Sequence, residues 1–195
     1  MEMISIGFKK YEVVKVVKES DFHFSMICKY KNKQYFVRRF KMIQAYEHCI
    51  QDYKAIKKLG IKIPKMIKNS KKNLTILYQF IDAENCAEKL SKEDIPENYF
   101  DKLFLLHRFA KFSKVDLNYL PEKFRFFNNE MYYMSYEFFP VGGEKNFEDF
   151  GLFHWHYGMD AMNHLKELGL PIDKKRVLTL PELKKKIVLL SIMKW

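Results

Sequence analysis

Glycine, proline and cysteine are scarce: seven Gly, six Pro and three Cys among 195 residues. So little Gly and Pro excludes collagen-like and low-complexity architectures. The three cysteines (Cys28, Cys49, Cys86) are far apart, odd in number and without CxxC spacing. That argues against a disulfide framework or a structural zinc site and fits a reducing compartment. No segment approaches the roughly 18 apolar residues of a membrane span. The longest apolar stretch, Ile187 to Met193, is interrupted by Ser191. The start, Met-Glu-Met-Ile-Ser-Ile-Gly-Phe-Lys-Lys, has an early acid and no small-residue cleavage site, so it does not read as a signal. A soluble, cytoplasmic protein is expected.

Apolar and basic side chains are plentiful instead. Hydrophobic residues make up 48% of the chain, with 18 Phe and 12 Tyr, which argues against disorder. Lys and Arg outnumber Asp and Glu by 35 to 24, a net charge of +11 that suits a polyanionic partner or ligand. The length fits one domain or two small lobes, enough to bury about two-thirds of its surface.

Along the chain, residues 11–18 and 24–30 are β-rich runs, split by Glu19-Ser20-Asp21. After Lys31-Asn32-Lys33 comes a third strand, Gln34 to Phe40, so an antiparallel meander is predicted. Met42, Tyr46, Cys49, Ile50, Tyr53, Ile56 and Leu59 then recur at three- and four-residue steps, and Gly60 follows as a stop. One amphipathic helix is predicted there. A hairpin of Lys65–Lys68 and Leu74–Phe80 completes a β-β-β-α-β-β order. Beyond Glu84 the composition turns acidic and helical. A helix beginning near Asp94 would present Tyr99, Phe100, Leu103, Phe104, Leu106 and Phe109. An irregular segment, 115–123, feeds a hairpin of Phe124–Phe127 and Met131–Met134 turned by Asn128-Asn129. After Gly142-Gly143, helices are predicted near Phe147–Leu168 and from about Pro181.

This order resembles the protein-kinase-like fold, closest in flavour to its small-molecule branch, the aminoglycoside phosphotransferases and bacterial choline kinases. Lys33 to Phe40 looks like their third strand, Asp52 to Ile61 like the end of helix C, and Leu105-Leu106-His107 like their "LLxxLH" helix. Leu117 to Phe124, with Tyr132 to Glu137, resembles the catalytic loop and metal-binding strand, usually "HGDLHPxNF…YxIDYE". The resemblance covers roughly residues 10–155. It implies an α+β, two-lobed fold: a five-stranded antiparallel N-lobe with one helix (1–82) and a shortened, mostly helical C-lobe (83–195).

The same resemblance places the chemical positions. The third-strand Lys falls on Arg38, or on Arg39 if the register slips by one. Arg keeps the charge and can fork onto phosphate. The helix-C Glu falls on Gln51, with Glu47 one turn earlier as a substitute. The catalytic-loop Asp falls on Asn118, which cannot act as a base. The Mg²⁺-binding Asn falls on Lys123, and the metal-binding Asp on Ser135. Between the first two strands no glycine stands ready to cradle phosphates. Removing a general base costs about 10²–10⁴ in rate, and lost metal ligands remove several kcal/mol more. The resemblance therefore implies a degraded, pseudokinase-type protein that binds a nucleotide such as ATP, another anionic ligand or a protein partner. Arg38 and Lys123 would supply the charge in place of Mg²⁺. Two alternatives stand beside it: an active ATP- and Mg²⁺-dependent phosphotransferase using Asp116 or Glu137 in a rearranged site, and a basic nucleic-acid-binding module on lysines 54–72, which include no acidic neighbour.

One further constellation has ligand-type spacing. His156, Asp160 and His164 would share a helical face, beside the His154/His156 pair, and such a set can hold zinc. The competing reading is a Phe/Trp-rich packing helix with surface histidines. Cys49 lies on the apolar stripe of its helix, which suits a buried structural thiol.

Overall fold

In the computed structural model, residues 2–143 and 146–194 are described; Met1 and Trp195, which bound the two expected lobes, lie outside them. The chain divides into two compact units, Met1–Ala55 with Ile63–Asp82, and Ile56–Lys62 with Ala83–Trp195.

The first unit contains β1 (Met3–Ile6), β2 (Lys9–Glu19), β3 (His23–Tyr30), β4 (Lys33–Phe40), most of α1 (Ile43–Lys58), β5 (Met66–Ser70) and β6 (Thr75–Gln79). The strands form one sheet in the order β1-β2-β3-β4-β6-β5, and every neighbouring pair is antiparallel. Alternation along each strand sorts side chains onto two faces. Ile4, Ile6, Tyr11, Met26, Cys28, Val37 and Leu77 make a cluster on one face. On the other, α1 lays Tyr46 edge-on to Phe40 at 5.9 Å and Tyr53 against Tyr78 at 6.1 Å. The tyrosine hydroxyls stay satisfied while buried: Tyr46 donates to Asn69 Oδ1 at 3.2 Å, and Tyr53 accepts from the Met66 amide at 2.8 Å. Each such buried ring contributes about 1.5–3 kcal/mol.

Six strands stand where the sequence pattern gives five. The addition is β1, whose Met-Ile-Ser-Ile alternation buries Ile4 and Ile6 and leaves the other two exposed. It turns into β2 through Gly7-Phe8, with Gly7 at φ 63°, the conformation needed at the first position of a tight II′ hairpin turn.

The second unit holds α2 (Cys86–Lys92), α3 (Glu97–Phe112), β7 (Val115–Leu117), β8 (Phe124–Phe127), β9 (Glu130–Tyr133), β10 (Phe138–Pro140), α4 (Leu152–Trp155), α5 (Met159–Glu167) and α6 (Leu180–Lys194). β7 pairs with β10 and β8 with β9, both antiparallel. Asn85 opens α2 with a capping box: its side chain accepts from the Glu88 amide, and Glu88 returns the bond. Rings from several elements fill the core, with Phe124 at 5.4 Å from Trp155 and Phe104 at 5.0 Å from Phe147.

The single helix expected near Phe147–Leu168 is three pieces. Phe147–Gly151 is a wide π turn, α4 follows, and His156 leaves the helix in an extended conformation before α5 begins after Gly158. Gly158 meets buried Leu183 closely: a Cβ there would lie 2.6 Å from Leu183 Cδ2. Helical spacing thus continues in the sequence while packing against α6 breaks the helix.

Candidate functional site

The expected chemical positions of the C-terminal half are set by α3 and the loop after β7. Within α3, Phe100, Leu103, Phe104, Leu106, His107 and Ala110 are buried, a spacing that turns one face into the core. His107 and the Tyr119 hydroxyl are 2.8 Å apart, and Phe147 stacks on the imidazole at 4.4 Å. Burial, and then the Lys111 charge, lower the His107 pKa to about 4. Trp155 Nε1 donates to the Tyr119 carbonyl at 2.6 Å. The chain at 118–120 is therefore pinned from two sides.

On this frame Asn118, Ser135 and Glu137 come together around Tyr133. The Tyr133 hydroxyl accepts from the Asn118 amide at 3.1 Å and donates to the Glu137 carbonyl at 2.6 Å. The Asn118 side-chain amide donates to Glu137 Oε2 at 3.2 Å, and its Oδ1 accepts from the Leu120 amide at 3.4 Å. Ser135 Oγ accepts from the Glu137 amide at 3.3 Å. Burial pushes the Tyr133 phenol well above its ordinary range, so it stays a neutral donor. Tyr133 organises this set, and sequence reasoning assigned it no such role. Its only signal is a place in the "YxIDYE"-like stretch.

Asp116 is buried on β7, opposite Phe139 of β10, and its Oδ2 accepts from the Gly142 amide at 3.1 Å. Lys123 belongs to a different group. Its ammonium lies 3.4 Å from Glu122 Oε1, while Glu122 Oε2 lies 2.9 Å from His164 Nε2. Burial alone would raise the Glu122 carboxyl, but the His164 bond and the Lys123 charge outweigh it and hold it below its usual range. The Glu122 bond in turn raises His164, against the opposing pull of burial. Lys123 thus pairs with Glu122 through its ammonium, while its carbonyl accepts from the Met134 amide at 2.7 Å. Glu122 and His164 are 42 residues apart, and no local motif joins them.

Mg²⁺ calls for several oxygen donors, carboxylates among them. The assembled set offers one exposed carboxylate, Glu137, already accepting from Asn118, and one serine oxygen occupied by a backbone amide. Among the described residues no group of three or more His, Cys, Asp or Glu could hold a metal. With Glu137 as its one carboxylate, Mg²⁺ held here would take its remaining oxygen donors from water and ligand phosphates. The shared face of His156, Asp160 and His164 does not form, because the helix breaks at His156. His154 and His156 bond the carbonyls of Phe150 and Leu152, each at 3.0 Å, and Asp160 is exposed.

In the first unit, Arg38 sits mid-sheet between Ser25 and Ile76. It shares the α1 face with Phe36, whose ring centroid is 5.8 Å from its guanidinium carbon. Arg39 is exposed on the opposite face. Burial, then the positive charge of Arg38, bring nearby His23 down to about 4. Gln51 is exposed on α1, and exposed Glu47 pairs with Lys71 at 2.7 Å; the residues α1 turns to the sheet are Tyr46, Cys49 and Tyr53. The connection from β2 to β3 is short and closed, Ser20 Oγ accepting from the Phe22 and His23 amides at 3.3 and 3.1 Å. A separate open groove is lined by Lys29, Lys33, Gln34, Tyr35, Gln79 and Asp82, none of them an expected site residue.

No family model matches the sequence, and no curated protein matches it either. Solved structures do match. The BubR1 kinase domain superposes with a TM-score of 0.52 at 11% identity, over 69% of this chain and 48% of that one. The autoinhibited serine kinase domain of the giant muscle protein titin gives 0.51 at 14% identity, over 68% and 46%. The chain thus has an α+β protein-kinase-like fold, with an N-terminal antiparallel sheet and helix and a helical C-terminal part. It spans about half the length of those kinase domains.

Proposed function

We propose that this chain is a degraded relative of the small-molecule branch of the kinase-like fold. It binds a nucleotide, another anionic ligand or a protein partner, without Mg²⁺-dependent phosphoryl transfer. Residues 1–82 and 83–195 are its N- and C-lobes, and a reducing, cytoplasmic setting suits its three buried thiols. The carrying observation is the Asn118–Glu137 hydrogen bond at 3.2 Å. Where phosphoryl transfer wants an ionised base, a neutral amide is tied to the Glu137 carboxylate. Arg38 is the fixed cation of the proposal, and a guanidinium binds phosphate without a metal. Lys123 contributes less than its charge suggests, being matched by Glu122.

An active phosphotransferase is the second reading, favoured by buried Asp116 with its backbone donor. A γ-phosphate transfer assay with choline and aminoglycoside acceptors, run with and without Mg²⁺, separates the two. The proposal expects no turnover in either condition. Mg²⁺-dependent transfer lost in Asp116→Asn would overturn it. The nucleic-acid reading on lysines 54–72 has less support, because Lys62 and Lys71 are already paired with Glu130 and Glu47.

A further inference from the structure

The last helix, α6, carries apolar side chains on two faces. Leu183 and Ile187 are buried, while Val188, Leu189, Ile192 and Met193 are 53–74% exposed. A helix apolar all round expects cover on all sides, and an exposed apolar patch of this kind marks an interaction surface. The inner side is fixed. Lys194 pairs with Glu97 at 3.0 Å and Asp101 at 2.6 Å, and Lys186 with Asp94 at 3.3 Å. Arg108 also donates to the Lys194 carbonyl at 3.3 Å. At the other end, the Thr179 amide and hydroxyl donate to Glu182 at 2.8 and 2.6 Å, which caps the first turn. The exposed face is therefore presented by a helix anchored at both ends.

Charge says what covers it. Residues 174–194 hold seven basic side chains and one acidic one, leaving +6. Among the described residues, Lys174, Lys175, Lys184 and Lys185 make no ion pair, while Arg176, Lys186 and Lys194 are matched by acids of α3 and the segment before it. Lys184 and Lys185 precede Val188 and Leu189 by four residues, so cations and apolar side chains share the outward face. A second copy of the chain laid helix on helix here would bring one acidic side chain, Glu182, to meet these lysines. Nucleic acid would meet the lysines and leave the apolar turns unused. An anionic bilayer surface takes both: headgroups meet the lysines and the acyl boundary meets the apolar turns.

We propose that α6 docks flat on an anionic lipid surface, with Val188, Leu189, Ile192 and Met193 entering the interface and Lys174, Lys175, Lys184 and Lys185 meeting headgroups. It lies on the bilayer and does not cross it; no helix among the described residues is long and apolar enough to span. The inference is independent of the ligand reading above.

Co-sedimentation of the full chain with vesicles tests it, using equal parts phosphatidylglycerol and phosphatidylcholine against phosphatidylcholine alone. Binding to the anionic vesicles only is expected. Lys184→Gln with Lys185→Gln should lower partitioning about 30-fold, near tenfold or less per charge. Val188→Ser with Ile192→Ser should lower it at least about tenfold, because each exposed side chain loses interfacial burial. All four positions are exposed, so melting by circular dichroism should be unchanged in both variants. Absence of binding to anionic vesicles overturns the proposal, as does binding that both double variants retain. If the substitutions instead abolish self-association or retention on an oligonucleotide, with vesicle binding unchanged, the occupant is a protein or RNA and the proposal fails.

Discussion

Replacing Tyr133 by Phe removes one oxygen and leaves the ring. That oxygen accepts from the Asn118 amide at 3.1 Å and donates to the Glu137 carbonyl at 2.6 Å. Tyr133 is fully buried, so water does not readily replace either bond. A net hydrogen bond is worth about 0.5–1.5 kcal/mol, and a buried group left unsatisfied costs about 1–3 kcal/mol. Two bonds with partial relaxation give about 2 kcal/mol. For a chain of this size that is about 4–8 °C in Tm. Thermal melting of Tyr133→Phe beside Tyr132→Phe checks it, the second variant keeping the ring that lies 5.4 Å from Lys62 Nζ. A shift of less than about 1 °C for Tyr133→Phe, on a scale where about 3 °C is 1 kcal/mol, would refute the idea that this hydroxyl holds Asn118 and Glu137 in place.

Two further outcomes concern the same frame. His107 has its pKa lowered to about 4 by burial, so the unfolded chain takes up this proton near the ordinary pKa and the folded one does not. Stability should fall with pH from about 6.5 towards about 4; between about pH 6.5 and pH 5 this one group costs about 2 kcal/mol at most, less with solvent access. Urea unfolding at pH 7 and pH 5 measures it, and His107→Phe should flatten the pH slope whatever its own stability. Gly151→Ala gains about 1 kcal/mol of helix propensity. Its new Cβ would stand 2.8 Å from Tyr119 Cβ and 3.3 Å from Phe147 Cδ2. Overpacking costs about 1–3 kcal/mol, so a net loss is expected in urea melts; a stabilised variant would show that the loop after β7 yields freely.

Local pattern carried much of the fold. The β-rich runs of β3, β4 and β6 and the three-four spacing of α1 are complete within their own segments, and each was readable. The Asn128-Asn129 turn was readable for a different reason. Both residues take positive φ, 49° and 59°, which Asn tolerates and a tight hairpin turn requires. The unreadable parts depend on distant partners. β1 has only two buried residues and exists because β2 is there to pair with it. The helix break at His156 follows from Leu183 packing near Gly158, which spacing within 147–168 cannot express. At the candidate site, Asn118 and Ser135 were visible as departures from a motif and Glu137 as a match to its last position. Their shared hydrogen bonding through Tyr133 was not, and neither was the Glu122 carboxylate that Lys123 and His164 both approach.

Ligand binding without metal is tested most directly by melting the full chain with ATP. Samples with excess EDTA, with Mg²⁺, and of Arg38→Ala under both conditions are compared with ligand-free protein. A rise in Tm with ATP in EDTA is expected, about the same rise with Mg²⁺, and none in Arg38→Ala; at a hundredfold excess over Kd the stabilisation is about 2.7 kcal/mol. A rise that appears only with Mg²⁺, or no rise in any sample, would contradict it.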